Sequence, residues 1–294
     1  MDLVETFDTD TPLVGMVHLP PLPGAPRYER GRRDIRARAL GDALALTESG
    51  MDAVLVENYG DAPYYPEDVP KHTVAELTAT VRELGIAIGA PIGVNVLRND
   101  AEAAISVGAA AGCSFVRVNV HTGARETDQG RIDGRAHETL RLRDRIDADI
   151  ALFADVGVKH SGAVTDRPVG QVVTETVDRG LADALVVSGP STGAATKPER
   201  LGRVLDTRDD HAPDVPVFLG SGVTPENGAE LLDLADGAIV GTALKTDGET
   251  HNPVEEARVS ALVDAVRVSE GEQPMESESP EKPDEPDEST PTAE

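Results

Sequence analysis

Two glycine-bearing segments in the last third of the chain have residue types suited to binding a phosphate group. Each follows a short apolar run, and together they contribute Gly220, Ser221, Gly222, Gly241 and Thr242. Glycines let backbone N–H groups approach an anion closely, and a helix predicted to begin near Pro225 adds the partial positive charge of its N-terminus. Ser188 and Gly189 follow an earlier apolar run and offer further donors. The competing interpretation is that these glycines only make tight turns.

A row of polar residues alternates with valines over residues 115–121. The polar face comprises Arg117, Asn119 and His121. In a barrel the helix-facing side of a strand must be apolar, so these three side chains are predicted to point inward. A buried arginine is costly without a carboxylate partner. Asp155, near the end of the next predicted strand, is the first candidate partner and Glu57 is the second, whereas a purely structural polar core is the alternative.

Further polar side chains at predicted strand ends are candidates for catalysis, and all of them except Asn95 can transfer protons. They are Glu57, Asn95, Asp155, Lys159 and His160. Their carboxylate, ammonium and imidazole groups are those used in general acid–base catalysis. Lys159 is predicted to anchor an anionic substrate or to act as an acid–base group; a Schiff base and a rim lysine paired with a surface acid are the alternatives. No spacing typical of metal ligands joins these residues, so the sequence predicts neither a metal nor a cofactor.

The elements that must position these residues alternate eight times between short β-branched runs and helical patterns. The strands are predicted near 13–19, 52–58, 91–97, 114–121, 149–156, 183–188, 215–220 and 237–242. This order predicts parallel strands joined by right-handed crossovers. The fold class is therefore α/β, a (β/α)8 TIM barrel of the phosphate-binding type. A doubly wound open sheet is the alternative, but it gives no reason for matching glycine turns after the last two strands.

Unequal connections locate the working face of the barrel. The turns from helix to strand are mostly short and marked by glycine, whereas the loops from strand to helix are long and polar. In a closed barrel these long loops share the rim at the carboxyl ends of the strands, where barrel active sites lie. All of the candidate residues named above are predicted to face this rim.

The last 26 residues differ in composition from the rest of the chain. Residues 269–294 contain ten acidic residues, one lysine and five prolines, with almost no apolar side chains. Such a segment cannot bury a core. We therefore expect one barrel domain over residues 1–268, followed by a disordered acidic tail.

The charge balance restricts the class of partner. The chain has 53 acidic and 27 basic residues and a net charge of −26, which opposes binding to nucleic acid or anionic membranes. A lysine-poor acidic surface fits a halophilic source, a hypothesis that greater stability at low than at molar potassium chloride would contradict. Neither a signal peptide nor a transmembrane segment is evident, so we expect a cytoplasmic protein. The oligomeric state is left open, a homo-oligomer included.

Several long blocks of sequence resemble the BtpA/SgcQ family. They lie at 16–24, 56–63, 93–100, 117–124, 128–130, 154–160 and 220–224, within a resemblance that covers residues 10–268. Members of this family are associated with photosystem I biogenesis in cyanobacteria or with bacterial sugar metabolism. Some relatives carry a phosphoribosylanthranilate isomerase label, but that enzyme needs a cysteine at the end of the first strand. This strand ends in His18.

Two functions are compatible with the sequence and the resemblance. The first is an enzyme of the isomerase or lyase type that acts on a small phosphorylated sugar or nucleoside-derived metabolite. Polar groups predicted to face the barrel mouth favour it. The second is a non-catalytic assembly or stabilising factor that retains the barrel and its anion site.

Overall fold

A computed structural model describes residues 1–158, 160–189 and 196–270 of the protein. Its strands are β1 Leu13–His18, β2 Ala53–Glu57, β3 Ile92–Asn95, β4 Phe115–Val118, β5 Ala124–Thr127, β6 Gly130–Asp133, β7 Ala151–Asp155, β8 Ser161–Ala163, β9 Ala184–Val187, β10 Val217–Leu219 and β11 Gly237–Val240. The helices are α1 Leu3–Phe7, α2 Arg32–Glu48, α3 Lys71–Ile88, α4 Ala101–Ala111, α5 Ala136–Arg145, α6 Val169–Asp178, α7 Pro198–His211, α8 Gly228–Leu232 and α9 Glu256–Glu270.

Eight of the described strands close into a parallel barrel. Around the barrel the order is β1, β2, β3, β4, β7, β9, β10 and β11, and β11 returns to pair with β1. Helices connect successive barrel strands, as the alternating sequence pattern predicts. The predicted (β/α)8 barrel is therefore confirmed, and the doubly wound open sheet is wrong.

Two apolar layers hold the barrel together. The outer layer packs the helices against the strands and includes the buried Val17, Val56, Val94 and Val116. This outward-facing position explains why valines alternate with polar residues along the strands, since residues two apart share one face. The opposite faces of the strands point into the barrel and carry apolar groups, the phenylalanines among them, or the polar residues of the mouth.

The four phenylalanines of the chain fill the lower interior of the barrel. Phe115, Phe153 and Phe218 lie in adjacent pairs with ring centroids 4.8 and 4.7 Å apart. Phe7 of α1 contacts Phe115 edge to face at 5.7 Å and closes this layer from the N-terminal side. An aromatic floor beneath the polar residues means that the candidate site opens only toward the carboxyl ends of the strands.

A small antiparallel sheet, which the sequence reading missed, covers one side of the rim. Strands β6, β5 and β8 pair in that order within segments that were expected to be loops. Its hairpin turns at Asp128 and Gln129, followed by Gly130 with φ of +94°. A short turn ending in glycine between polar strands is a hairpin signal, but it is weak where few apolar residues mark the strands.

Helix α9 continues two residues past the expected limit of the barrel and ends at Glu270. Residues 271–294, which include most of the expected acidic tail, lie outside the described residues. Within the described ranges, no helix combines the length and apolar character needed to cross a membrane.

Candidate functional site

A buried ion pair joins β4 to β7 at the mouth of the barrel. Arg117 Nε lies 3.0 Å from Asp155 Oδ1, and Arg117 Nη2 lies 3.1 Å from Asp155 Oδ2. Nη2 also donates to Ser188 Oγ at 3.2 Å. The pairing of Arg117 with Asp155 rather than Glu57 is as predicted, because β4 and β7 are adjacent in the barrel. Two parallel hydrogen bonds fix the plane of the guanidinium group.

Asn119 lies beside this pair, one residue beyond the end of β4. Its Nδ2 donates to Asp155 Oδ2 at 2.9 Å. Its Oδ1 is buried and has no hydrogen-bond partner among the described residues. A buried polar atom without a protein partner is costly, and a ligand or an ordered water can satisfy it. Asn119 therefore offers an acceptor to a ligand in the mouth.

Glu57 occupies the opposite wall of the mouth, at the end of β2. Asn95 lies on the adjacent strand β3, and its Nδ2 donates to Glu57 Oε2 at 2.7 Å. His18 Nε2 lies 3.9 Å from Glu57 Oε1. The side chain of Glu57 is buried, with the residue only 8% exposed. A carboxylate held in this way is placed to exchange protons with a small molecule.

Two pockets share this wall. The glycine pocket has a volume of about 190 Å³ and is lined by residues that include Gly220, Ser221, Gly222, Gly241 and Thr242. The central pocket has a volume of about 330 Å³ and is lined by residues that include Tyr59, Tyr64, Arg98, Asn119 and His160. His18, Glu57 and Arg117 line both. The structure thus brings most of the predicted catalytic residues next to the predicted phosphate-binding residues.

Close packing, as well as access for a ligand, requires that two of these positions be glycine. A Cβ atom on Gly220 would overlap Ser188 Oγ and Val186, and one on Gly241 would lie 2.8 Å from His18 Cε1. The tight-turn interpretation fits Gly222 instead, which has φ of +81°. Substitution of Gly220 or Gly241 would disturb the wall of the site, so other residues are better probes of anion binding.

The turn after β10 is organised by Asn227, to which the sequence reading gave no role. Its Oδ1 accepts from the Thr224 N–H at 2.8 Å, and its Nδ2 donates to the Gly222 carbonyl at 2.9 Å. The following helix α8 begins at Gly228, three residues after Pro225, and has five residues. A helix this short contributes little partial charge, and the turn itself presents the donors.

Ser188 and Gly189 lie behind the glycine pocket rather than on its surface. Ser188 Oγ accepts from Arg117, and the Gly189 N–H points to Ser221 Oγ at 3.3 Å. They position the pocket residues. Their predicted direct contact with phosphate stays a prediction.

The remaining predicted site residues have different outcomes. His160 is exposed and lines the central pocket. Lys159 lies outside the described residues, so its role stays a prediction. His121 does not point into the mouth, because it lies three residues beyond Val118, where β4 ends. Instead His121 Nε2 lies 2.7 Å from the Gly180 carbonyl, and burial lowers the pKa of this imidazole.

Arg98, Tyr59 and Tyr64 line the central pocket but were not singled out from the sequence. Tyr64 donates to the Tyr59 carbonyl at 2.7 Å, and burial raises the pKa of its hydroxyl. All three occur in or beside loops, where period-two patterns give no direction for a side chain.

Comparison with known proteins decides the family. A model of the BtpA family matches residues 9–268. The chain belongs to the BtpA family. A member from Synechocystis sp. named photosystem I biogenesis protein BtpA is 40% identical over 266 residues, covering 90% of this chain and 91% of the relative. The putative sgc region protein SgcQ of Escherichia coli is 33% identical over 267 residues, covering 90% and 97%.

Solved structures of the same fold include more distant enzymes. Orotidine 5′-phosphate decarboxylase from Pyrococcus horikoshii aligns with a TM-score of 0.54 at 17% identity, covering 87% of this chain and 99% of that one. At this identity the likeness concerns the barrel alone. The chemistry of this BtpA-family member therefore depends on its own mouth residues.

Proposed function

We propose that this BtpA-family barrel is an enzyme that acts on a small phosphorylated sugar or nucleoside-derived metabolite by proton transfer, as in isomerase or lyase reactions. The observation that carries the proposal is the contact between two pockets. The glycine pocket suits a phosphate group, and Glu57 and Arg117 line both it and the central pocket. A phosphate held at the first pocket places the adjoining carbon atoms beside these two charged groups.

The phosphate is proposed to bind at the turns after β10 and β11. Those turns carry backbone N–H groups and the hydroxyl side chains of Ser221, Thr224 and Thr242. The last two strands are also where many barrels of this class hold a substrate phosphate. Lys159, Ser188 and Gly189 are proposed to assist, the lysine as an electrostatic anchor and the other two by positioning.

Proton transfer is assigned to Glu57. In an isomerase reaction on an α-hydroxy carbonyl compound, this carboxylate takes a proton from the carbon next to the carbonyl. The electron pair of the C–H bond forms a C=C bond, and the π pair of the carbonyl moves to its oxygen. Arg117, fixed by Asp155, stabilises the enediolate oxygen that results. Transfer of the enediolate's hydroxyl proton to that oxygen, and of the proton held by Glu57 to the former carbonyl carbon, completes the isomerisation. His160 is proposed to move protons at the outer edge of the central pocket.

A panel of phosphosugars and nucleotides tests the proposal by thermal unfolding in concentrated potassium chloride. Binding to the folded protein raises the unfolding temperature in a concentration-dependent manner. Compounds that do so are then incubated with the protein in deuterium oxide, and loss of carbon-bound protons is followed by NMR. The proposal requires stabilisation by at least one phosphorylated compound and proton exchange on it. An absence of response from the whole panel would contradict it.

An assembly or stabilising role is the second candidate, favoured by the name of the Synechocystis relative. It predicts no exchange in the same assay. A charge change at Glu57 that leaves folding intact would then leave the biological role unchanged, whereas it abolishes the role of an enzyme.

A further inference from the structure

A larger cavity, here called the lateral cavity, lies beside the barrel mouth and has a volume of about 870 Å³. Its walls come from the small β6–β5–β8 sheet and from the N-terminal parts of α6 and α7. Five arginines line it: Arg125, Arg131, Arg167, Arg200 and Arg203. Arg131 pairs with Asp133 and Arg167 pairs with Glu175, so their charges are already balanced.

Arg125 and Arg200 are partly buried and have no such balance. Among the described residues, no carboxylate forms an ion pair with either guanidinium group. Of the undescribed residues before position 271, which are 159 and 190–195, none is acidic. In a chain with 53 acidic residues, two half-buried cations that lack an ion-paired acid among the described residues are unexpected. Burial lowers the pKa of both groups, and each has another arginine as a charged neighbour.

The contacts that hold these two arginines leave donors for a ligand. Arg125 donates through Nε to Ser161 Oγ at 2.9 Å and through Nη2 to the Ser161 carbonyl at 3.2 Å. Arg200 donates through Nη2 to the Val156 carbonyl. Since a guanidinium group has donors on all three nitrogens, several N–H groups of the two residues are left for the cavity.

The two guanidinium groups converge on Gly157. A Cβ atom at this position would lie 2.5 Å from Arg200 Nη2 and 3.9 Å from Arg125 Nη1. Gly157 has φ of +78°, which a side chain would also disfavour. Arg200 lies in the first turn of α7, where the helix dipole disfavours a cation. A dianion placed here relieves both the repulsion between the arginines and the conflict with the dipole.

We propose that Arg125 and Arg200 form a second phosphate site in the lateral cavity. Asn119 lines both this cavity and the central pocket, and Asp155 lines this cavity while it pairs with Arg117. The lateral site and the glycine pocket therefore flank the proposed reaction centre from two directions. The substrate class follows from these two sites together and rests on the proposed function: the substrate is a small molecule phosphorylated at both ends.

Titration of the full-length protein with inorganic phosphate, followed by 31P NMR and calorimetry, tests the site. The wild-type protein is expected to bind two equivalents. Arg200→Gln and Arg125→Gln should each weaken one equivalent by about tenfold or more, because a charge-assisted hydrogen bond is lost. Thr242→Asp, which places a carboxylate in the glycine pocket, should remove the other equivalent. Arg131→Gln is the matched control, since it deletes a cavity arginine that Asp133 already neutralises, and should leave both equivalents.

The outcomes separate the two phosphate sites. Retention of both phosphate equivalents in Arg200→Gln would overturn the lateral site. A loss in Arg131→Gln as large as that in Arg200→Gln would also overturn it, because it would indicate a general effect of charge. Loss of one equivalent in Arg200→Gln but none in Thr242→Asp would leave the lateral site standing and remove the phosphate pocket of the proposed function. If Arg125→Gln does not fold because its bonds to Ser161 are needed, Arg200→Gln carries the test.

Discussion

Arg117 and Asp155 lie on adjacent strands of the barrel and form two hydrogen bonds, at 3.0 and 3.1 Å, in a site where the arginine is 2% exposed. Each residue therefore depends on the other for its charge balance. The pair also fixes a guanidinium group that lines both mouth pockets, so it links the stability of the barrel to the geometry of the proposed reaction centre.

Breaking this ion pair should destabilise the protein. Arg117→Met keeps most of the side-chain volume and should lower the free energy of unfolding by about 3 kcal/mol, because it leaves Asp155 buried without a counter-charge. Adding Asp155→Asn should recover part of the loss. Chemical denaturation of the two single mutants and the double mutant measures the coupling energy. Strict additivity of the two changes would show that the pair does not stabilise the fold.

Glu57→Gln should stop proton transfer while keeping the site folded. Glutamine retains an oxygen that can accept from Asn95, so the expected result is unchanged ligand stabilisation with exchange slowed by about 10²-fold or more. Tyr64→Phe is the control, because burial raises the pKa of Tyr64 and keeps its hydroxyl protonated. Exchange that survives Glu57→Gln at the wild-type rate would exclude Glu57 as the base.

Lys245 should give the protein a measurable pH dependence. Its Nζ is fully buried, donates to the Met16 carbonyl at 2.9 Å and lies 3.7 Å from Asp42. Burial lowers its pKa to about 8. In the unfolded chain the lysine has its ordinary pKa of about 10.4. Between pH 8 and about 10.4 the unfolded chain therefore binds more protons than the folded protein, and the contribution of Lys245 to the free energy of unfolding rises with pH.

The comparison with Lys245→Met isolates that effect. Between pH 7.5 and pH 10 the free energy of unfolding of the wild type, measured in urea, should rise by about 2 kcal/mol relative to that of the mutant. The other titrating groups are common to both proteins, so their contributions cancel in the difference. A constant difference between the two proteins over this range would mean that Lys245 keeps its ordinary pKa.

Removal of residues 271–294 should leave folding intact. The removed segment is almost without apolar side chains and cannot add to a core. The shortened chain is expected to unfold cooperatively within about 0.5 kcal/mol of the full-length protein at equal salt. A non-cooperative transition would show that the tail is part of the folded domain.

The sequence predicted the barrel and the ion pair because both depend on strict periodicity. Residues two apart on a strand share a face, so the alternation around Arg117 determined which side chains point inward. His121 shows the limit of this rule, since the chain leaves the strand after Val118 and turns away from the mouth. The small sheet was missed because its pairing depends on a hairpin turn and on contacts distant in sequence. Arg125 and Arg200 come together only through that sheet and the start of α7.

The most direct test of the proposed phosphate site compares two variants, Thr242→Asp and Thr242→Asn. The measured quantity is the affinity of each for a phosphosugar that stabilises the wild type. The two substitutions have nearly the same shape, and Thr242 lines the glycine pocket, where its hydroxyl lies 2.9 Å from that of Thr250. A phosphate bound there is repelled by the aspartate alone. Thr242→Asp is expected to bind the phosphosugar at least about tenfold more weakly than Thr242→Asn. Equal affinities for the two variants would contradict it.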